Sequence, residues 1–140
     1  FAGSDRAPIG VSLAAMDSVV ELTVPAQSSY VTLVRSATSA ICAQADFTLD
    51  ALDDVGLAVG EACALVIGEA PGDADLRAQW RVHATVVDID ISSPTTSTTG
   101  VATNTFAWTV LTALVQQVDS AVTDGRLHIR LQAHGIETTV

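Results

Sequence analysis

Lysine is absent from this 140-residue sequence, and its basic residues are six arginines set against sixteen acids, a formal net charge of −10. Nucleic acid and anionic membrane surfaces both require a cationic footprint, so neither is expected as a ligand. The sequence has no apolar run of the roughly 20 residues that a membrane-spanning helix needs. Residues 1–15 lack the charged front and continuous apolar middle of a signal peptide, and read as a flexible segment ahead of one domain over 16–140. Only two cysteines occur, Cys42 and Cys63, without CxxC spacing. They read as buried free thiols of a reducing cytoplasm, with a disulfide as the alternative. His83, His128 and His134 are dispersed without metal-ligand spacing, so no metal site is expected. Nucleophile-elbow, Walker and dinucleotide glycine motifs are also missing.

What the sequence does hold is organised around Leu49 to Ala70. Apolar residues at Leu52, Val55, Val59, Ala62, Cys63 and Val66 recur at helical spacing, which predicts a central helix burying one stripe. Thr48 is a candidate cap, Asp50, Asp53 and Asp54 suit the positive end of the helix dipole, and Pro71-Gly72 ends the pattern. Glu61 interrupts the stripe with a carboxylate. Paired acids such as Asp53-Asp54 and Asp88/Asp90 read as helix-start and strand-face charges rather than as a general acid and base.

Upstream, Met16 to Val24 alternates, with Val20, Leu22 and Val24 on one face of a predicted strand that Pro25 ends. Gln27-Ser28-Ser29 offers hydroxyl caps to a helix reaching about Ala45, with Leu33, Val34, Ala37, Ala40 and Ile41 as its apolar stripe. Downstream, Leu76, Ala78, Trp80 and Val82, then Val87, Ile89 and Ile91, alternate as two strands around a turn near His83-Ala84. That turn sets Arg77 opposite Asp90 and Arg81 diagonal to Asp88, each pair contributing about 0.2–1 kcal/mol. Residues 92–105 read as a loop, Phe106 to Asp119 as a third helix on Phe106, Val110, Leu111, Leu114, Val115 and Val118, and Thr123-Asp124-Gly125 as a hairpin turn into Leu127, Ile129 and Leu131. The order β-α-α-β-β-loop-α-β-β predicts an α+β fold, an antiparallel or mixed sheet of about five strands covered on one face by three helices.

Three strings in this order resemble a known family. They are Leu-Thr-Val-Pro-Ala-Gln followed by Tyr30-Val31 and Arg35, then Asp54-Val-Gly-Leu-Ala-Val-Gly-Glu-Ala-Cys63, then Phe106-Ala-Trp-Thr-Val-Leu-Thr-Ala-Leu-Val115. The chain resembles the anti-sigma factors of the RsbW and SpoIIAB kind, in the GHKL superfamily with the histidine-kinase ATPase domains, and within them the mycobacterial UsfX branch. The resemblance spans about Val19 to Leu131.

It implies an ATP site, which the residues do not supply. Glu61 stands where ATP-binding members carry a Glu that acts as base toward a substrate serine. Four residues on, the family's magnesium-holding Asn is replaced by Leu65, and an aliphatic side chain cannot ligate a hard cation. Ser93-Pro94-Thr95 replaces the Asp-x-Gly that receives adenine, and Thr103 to Ala107 replaces the glycine-rich phosphate lid, with Phe106 expected to fill the phosphate space. Glu61 is therefore vestigial, and no cofactor is expected. The resemblance implies a cytoplasmic, homodimeric anti-sigma factor that sequesters an alternative sigma factor and is relieved by a STAS-type anti-anti-sigma factor. Tyr30, Thr32 and Arg35 are its candidate partner-binding residues. The alternative is a working serine kinase that uses Mg-ATP to phosphorylate the antagonist.

Overall fold

The computed structural model describes residues 17–136; the predicted flexible segment 1–15 lies outside them. Five strands form one sheet in the order β1-β2-β3-β5-β4, and every neighbouring pair is antiparallel. They are β1 (Ser18–Pro25), β2 (Asp75–His83), β3 (Val86–Pro94), β4 (Gln117–Thr123) and β5 (Arg126–His134), and the helices are α1 (Val31–Ala43), α2 (Leu49–Gly68) and α3 (Phe106–Leu114). Period-two alternation sends Leu76, Ala78 and Trp80, Val87, Ile89 and Ile91, and Leu127, Ile129 and Leu131 into one core. The central helix closes that core with Val55, Ala58, Val59, Ala62, Cys63 and Val66, all buried. Thr48 caps it as expected, its side chain accepting the Ala51 N–H at 3.1 Å.

Several boundaries and faces differ from the sequence expectation, each for a local reason. The hydroxyls at 28–29 do not cap α1. A 3-10 turn at Ser28–Tyr30 leads into the helix, and its tighter bonds, including Tyr30 N–H to the Gln27 carbonyl at 3.0 Å, occupy the donors a cap would satisfy. The buried stripe of α1 is Val34, Thr38 and Cys42, while Leu33 and Ala40 face solvent. Thr38 can take the inner position because its hydroxyl donates to the Val34 carbonyl at 2.8 Å and accepts the Trp80 indole N–H at 3.0 Å.

The β2–β3 turn is Ala84-Thr85, one residue later than expected, with Ala84 at φ 55°. The register accordingly moves by two residues, which preserves which face each side chain takes. Arg81 stands directly opposite Asp88, and Gln79 rather than Arg77 opposes Asp90. Arg77 opposes Ser92 and lies 3.8 Å from Asp75. Strand β3 also continues through Ser92, Ser93 and Pro94, which were expected to be loop.

The third helix ends at Leu114 rather than Asp119. Val118 belongs to β4, which pairs along β5 through a turn with Asp124 at φ 53° and Gly125 at φ 75°, the hairpin geometry that an Asp-Gly pair favours. Phe106, expected in the apolar stripe, is 83% exposed at the start of α3. Trp108 packs against the core instead, and Thr105 caps the helix by accepting the Trp108 N–H at 3.2 Å.

Candidate functional site

The residues that the family resemblance assigns to a nucleotide site lie on α2, at the end of β3 and in the segment leading to α3. Glu61 is half-buried on α2 and makes no hydrogen bond or ion pair among the described residues. One turn later Leu65 packs against the core, so the position that would hold a cation presents a hydrocarbon surface. Ser93 is fully buried and donates its hydroxyl to the Asp75 carbonyl at 2.7 Å, which commits it to joining β3 to β2. The adjoining loop is bound to itself and to β4. Ser97 donates to the Thr99 carbonyl at 2.9 Å, and the Val101 N–H reaches the Ser120 hydroxyl at 3.2 Å. Val101 and Trp108 from this segment pack against the core, whereas Phe106 points to solvent. The donor set of a magnesium–nucleotide complex does not fit these residues.

Thr32 and Arg35, two of the three candidate partner residues, are brought together in a groove of about 600 Å³ between α1 and α2, with Ser36, Asp53, Gly56 and Leu57. Arg35 lies along α2, its Cδ 3.3 Å from where a Cβ on Gly60 would stand, which explains a glycine there. Tyr30, 38% exposed, sits at the head of α1 and outside that lining. From Asp46 to Asp73 the chain carries seven acids and no base. Arg77, Arg81, Arg126 and Arg130 all belong to β2 and β5. The helical layer is therefore strongly acidic around Arg35.

The polar sheet face carries residues that pattern reading did not single out. Arg126 bonds the Ser92 hydroxyl at 3.3 Å, the Ser92 carbonyl at 3.2 Å and the Asp75 carboxylate at 3.1 Å, tying β5 to β3 and β2. Its only sequence signal is its place immediately after the Asp-Gly turn. His128 is part-buried and bonds Asp90 at 2.9 Å. His83 bonds Asp17 at 2.7 Å, and this contact is the main cause holding the Asp17 carboxyl below its ordinary value. A second cavity of about 670 Å³ meets this face, where Arg130 answers Asp90 at 3.7 Å and Gln132 answers Asp88 at 3.0 Å. No cluster of three metal-ligating side chains occurs among the described residues. Cys42 and Cys63 are free and buried, and burial pushes both thiols up to about 12.

With this geometry in hand, similarity to known proteins is informative. No family model matches the chain. The chain is 36% identical over 107 residues to the anti-sigma-F factor RsbW of Mycobacterium tuberculosis, an alignment covering 76% of this chain and 63% of that protein. In sequence, the chain is similar to RsbW. It is also 41% identical over 51 residues to the serine-protein kinase RsbW of Halalkalibacterium halodurans, covering 36% of this chain and 32% of that one. The crystal structure of the RsbU and RsbW domains of a Mycobacterium tuberculosis protein superposes with a TM-score of 0.66 at 12% identity, over 84% of the RsbW-like chain and 32% of that structure. At that identity the superposition speaks for the fold. The RsbW-like chain thus spans less than two thirds of the length of the curated relatives it matches. Among the described residues, no helix is long and apolar enough to cross a membrane.

Proposed function

We propose that the RsbW-like chain is an anti-sigma factor that acts by binding alone, sequestering an alternative sigma factor in the cytoplasm without Mg-ATP. The observation that carries the binding-only reading is Leu65, packed against the core one turn beyond Glu61. Glu61 has no metal or phosphate to work with there, and a base without an activated phosphoryl donor assists nothing. The affinity resides on the helical layer, where Tyr30, Thr32 and Arg35 offer exposed contacts in an acidic field suited to a basic protein surface. A STAS-type anti-anti-sigma factor relieves the complex, and the chain acts as a homodimer.

A second reading, a serine kinase that phosphorylates the antagonist, is favoured by the unpaired Glu61 carboxylate and by the kinase name of one relative. Titration calorimetry with Mg-ATP separates the two readings. Binding-only action gives no heat while the chain inhibits transcription by a purified alternative sigma factor of its own organism. Measurable nucleotide binding followed by phosphate transfer to a STAS protein would establish the kinase.

A further inference from the structure

Two glycines lie inside α2, and contacts among the described residues explain only one. Gly60 leaves room for the Arg35 side chain, whereas a Cβ on Gly56 would meet nothing within 4 Å. Glycine in a helix interior is disfavoured relative to alanine, so one whose Cβ would touch nothing is a local loss that packing among the described residues does not offset. Gly56, itself buried on α2, lines the floor of the α1–α2 groove beside the half-exposed Leu57, with Ser36 and Ser39 on the facing wall. Leu33, 49% exposed, lies on the same helix as that wall. The groove also holds Arg35 and Asp53, and among the described residues neither forms an ion pair with the other or with any third group.

We infer that this groove seats an amphipathic helix of the protein partner, its backbone drawn close over Gly56, apolar side chains against Leu57 and Leu33, and a basic side chain against Asp53. The inference rests on the anti-sigma reading and specifies where and how that partner docks. A helix suits the place because a trough between two helices with small walls admits a third at short range, read by apolar anchors one turn apart. The basic charge follows from the field: seven acids between Asp46 and Asp73 with no base among them, and Asp53 unanswered at the groove. Arg35, at the Gly60 end, takes an acid of the same partner segment and so sets its direction.

The test uses the whole chain and the purified sigma factor that it retains. The Cβ of Gly56→Leu meets no described atom within 4 Å and the change removes an interior helix glycine, so its Tm is expected to equal or exceed that of the wild type while affinity falls by about tenfold or more. Asp53→Lys is expected to weaken binding by a similar factor. Glu69→Lys, the same charge change at the exposed C-terminal end of α2, is expected to change it less than about twofold. Wild-type binding by Gly56→Leu overturns the inference, as does an equal loss from Glu69→Lys, which would make the effect one of bulk charge. A change of oligomeric state in Gly56→Leu with sigma binding intact also overturns it, because the groove would then join two copies. If the wild-type chain retains no sigma factor, the anti-sigma reading itself falls and carries this inference with it.

Discussion

The indole N–H of Trp80 donates to the Thr38 hydroxyl at 3.0 Å, and both residues are completely buried. This bond fastens α1 to the second strand of the sheet and explains why a threonine occupies the inner face of an otherwise apolar helix. Thr38→Val, nearly isosteric, would leave the indole donor unsatisfied and is expected to destabilise the fold by about 1–3 kcal/mol. Thr38→Ser keeps the hydroxyl and should cost less. Urea denaturation of both variants checks the order, and a larger loss from Thr38→Ser than from Thr38→Val would show that the methyl rather than the bond matters.

On the binding-only reading, the positions that the family resemblance assigns to nucleotide differ at several separate places, so restoring one is not expected to restore binding. Leu65→Asn supplies the missing oxygen, yet Ser93 remains bonded to Asp75 and the loop remains tied to Ser120. The variant is expected to show no heat with Mg-ATP, and to lose about 0.5–3 kcal/mol of stability from removing a core contact. Nucleotide binding by this single variant would show that Leu65 alone disables the site.

The cysteines predict both reactivity and a pH dependence. With both thiols moved by burial from 9.0 to about 12, an aromatic disulfide reagent at pH 8 should label neither in the native protein and both in denaturant. Between those values the unfolded chain loses its thiol protons first. Their contribution to stability is therefore complete below about pH 9 and declines as the pH rises toward 12. Double replacement by alanine should flatten that part of the stability–pH curve. An unchanged slope would mean that other groups set it.

Among the described residues Arg35 is the only base on the three helices, and it lies over Gly60 without an ionic partner. Arg35→Glu is expected to weaken retention of the sigma factor roughly tenfold or more with little change in Tm. Surface plasmon resonance on the folded variant measures this directly, and an affinity equal to the wild type would take Arg35 out of the interface.

Much of this fold was legible along the chain because its elements are locally strong. Period two in β2 and β3, period 3.6 in α2, the Thr48 cap and the Asp124-Gly125 turn each specify their own geometry, and together they specified the order of elements. The candidate site was legible as chemistry: a leucine four residues after Glu61 states what it cannot ligate whatever surrounds it. Tertiary contact decided where one pattern admitted two structures. Val115 and Val118 fit a helix as well as a strand, and pairing with β5 made the second a strand residue. Phe106 was expected in the core, and packing turned it outward and brought in Trp108, two residues on. Thr38 could displace Leu33 from the buried face only because Trp80, 42 residues away, offered a donor. The α1–α2 groove has no sequence signature at all. The empty space at Gly56 and the unpaired Arg35 and Asp53 emerge only when two helices pack, because sequence records which side chains exist and packing determines which remain without a neighbour.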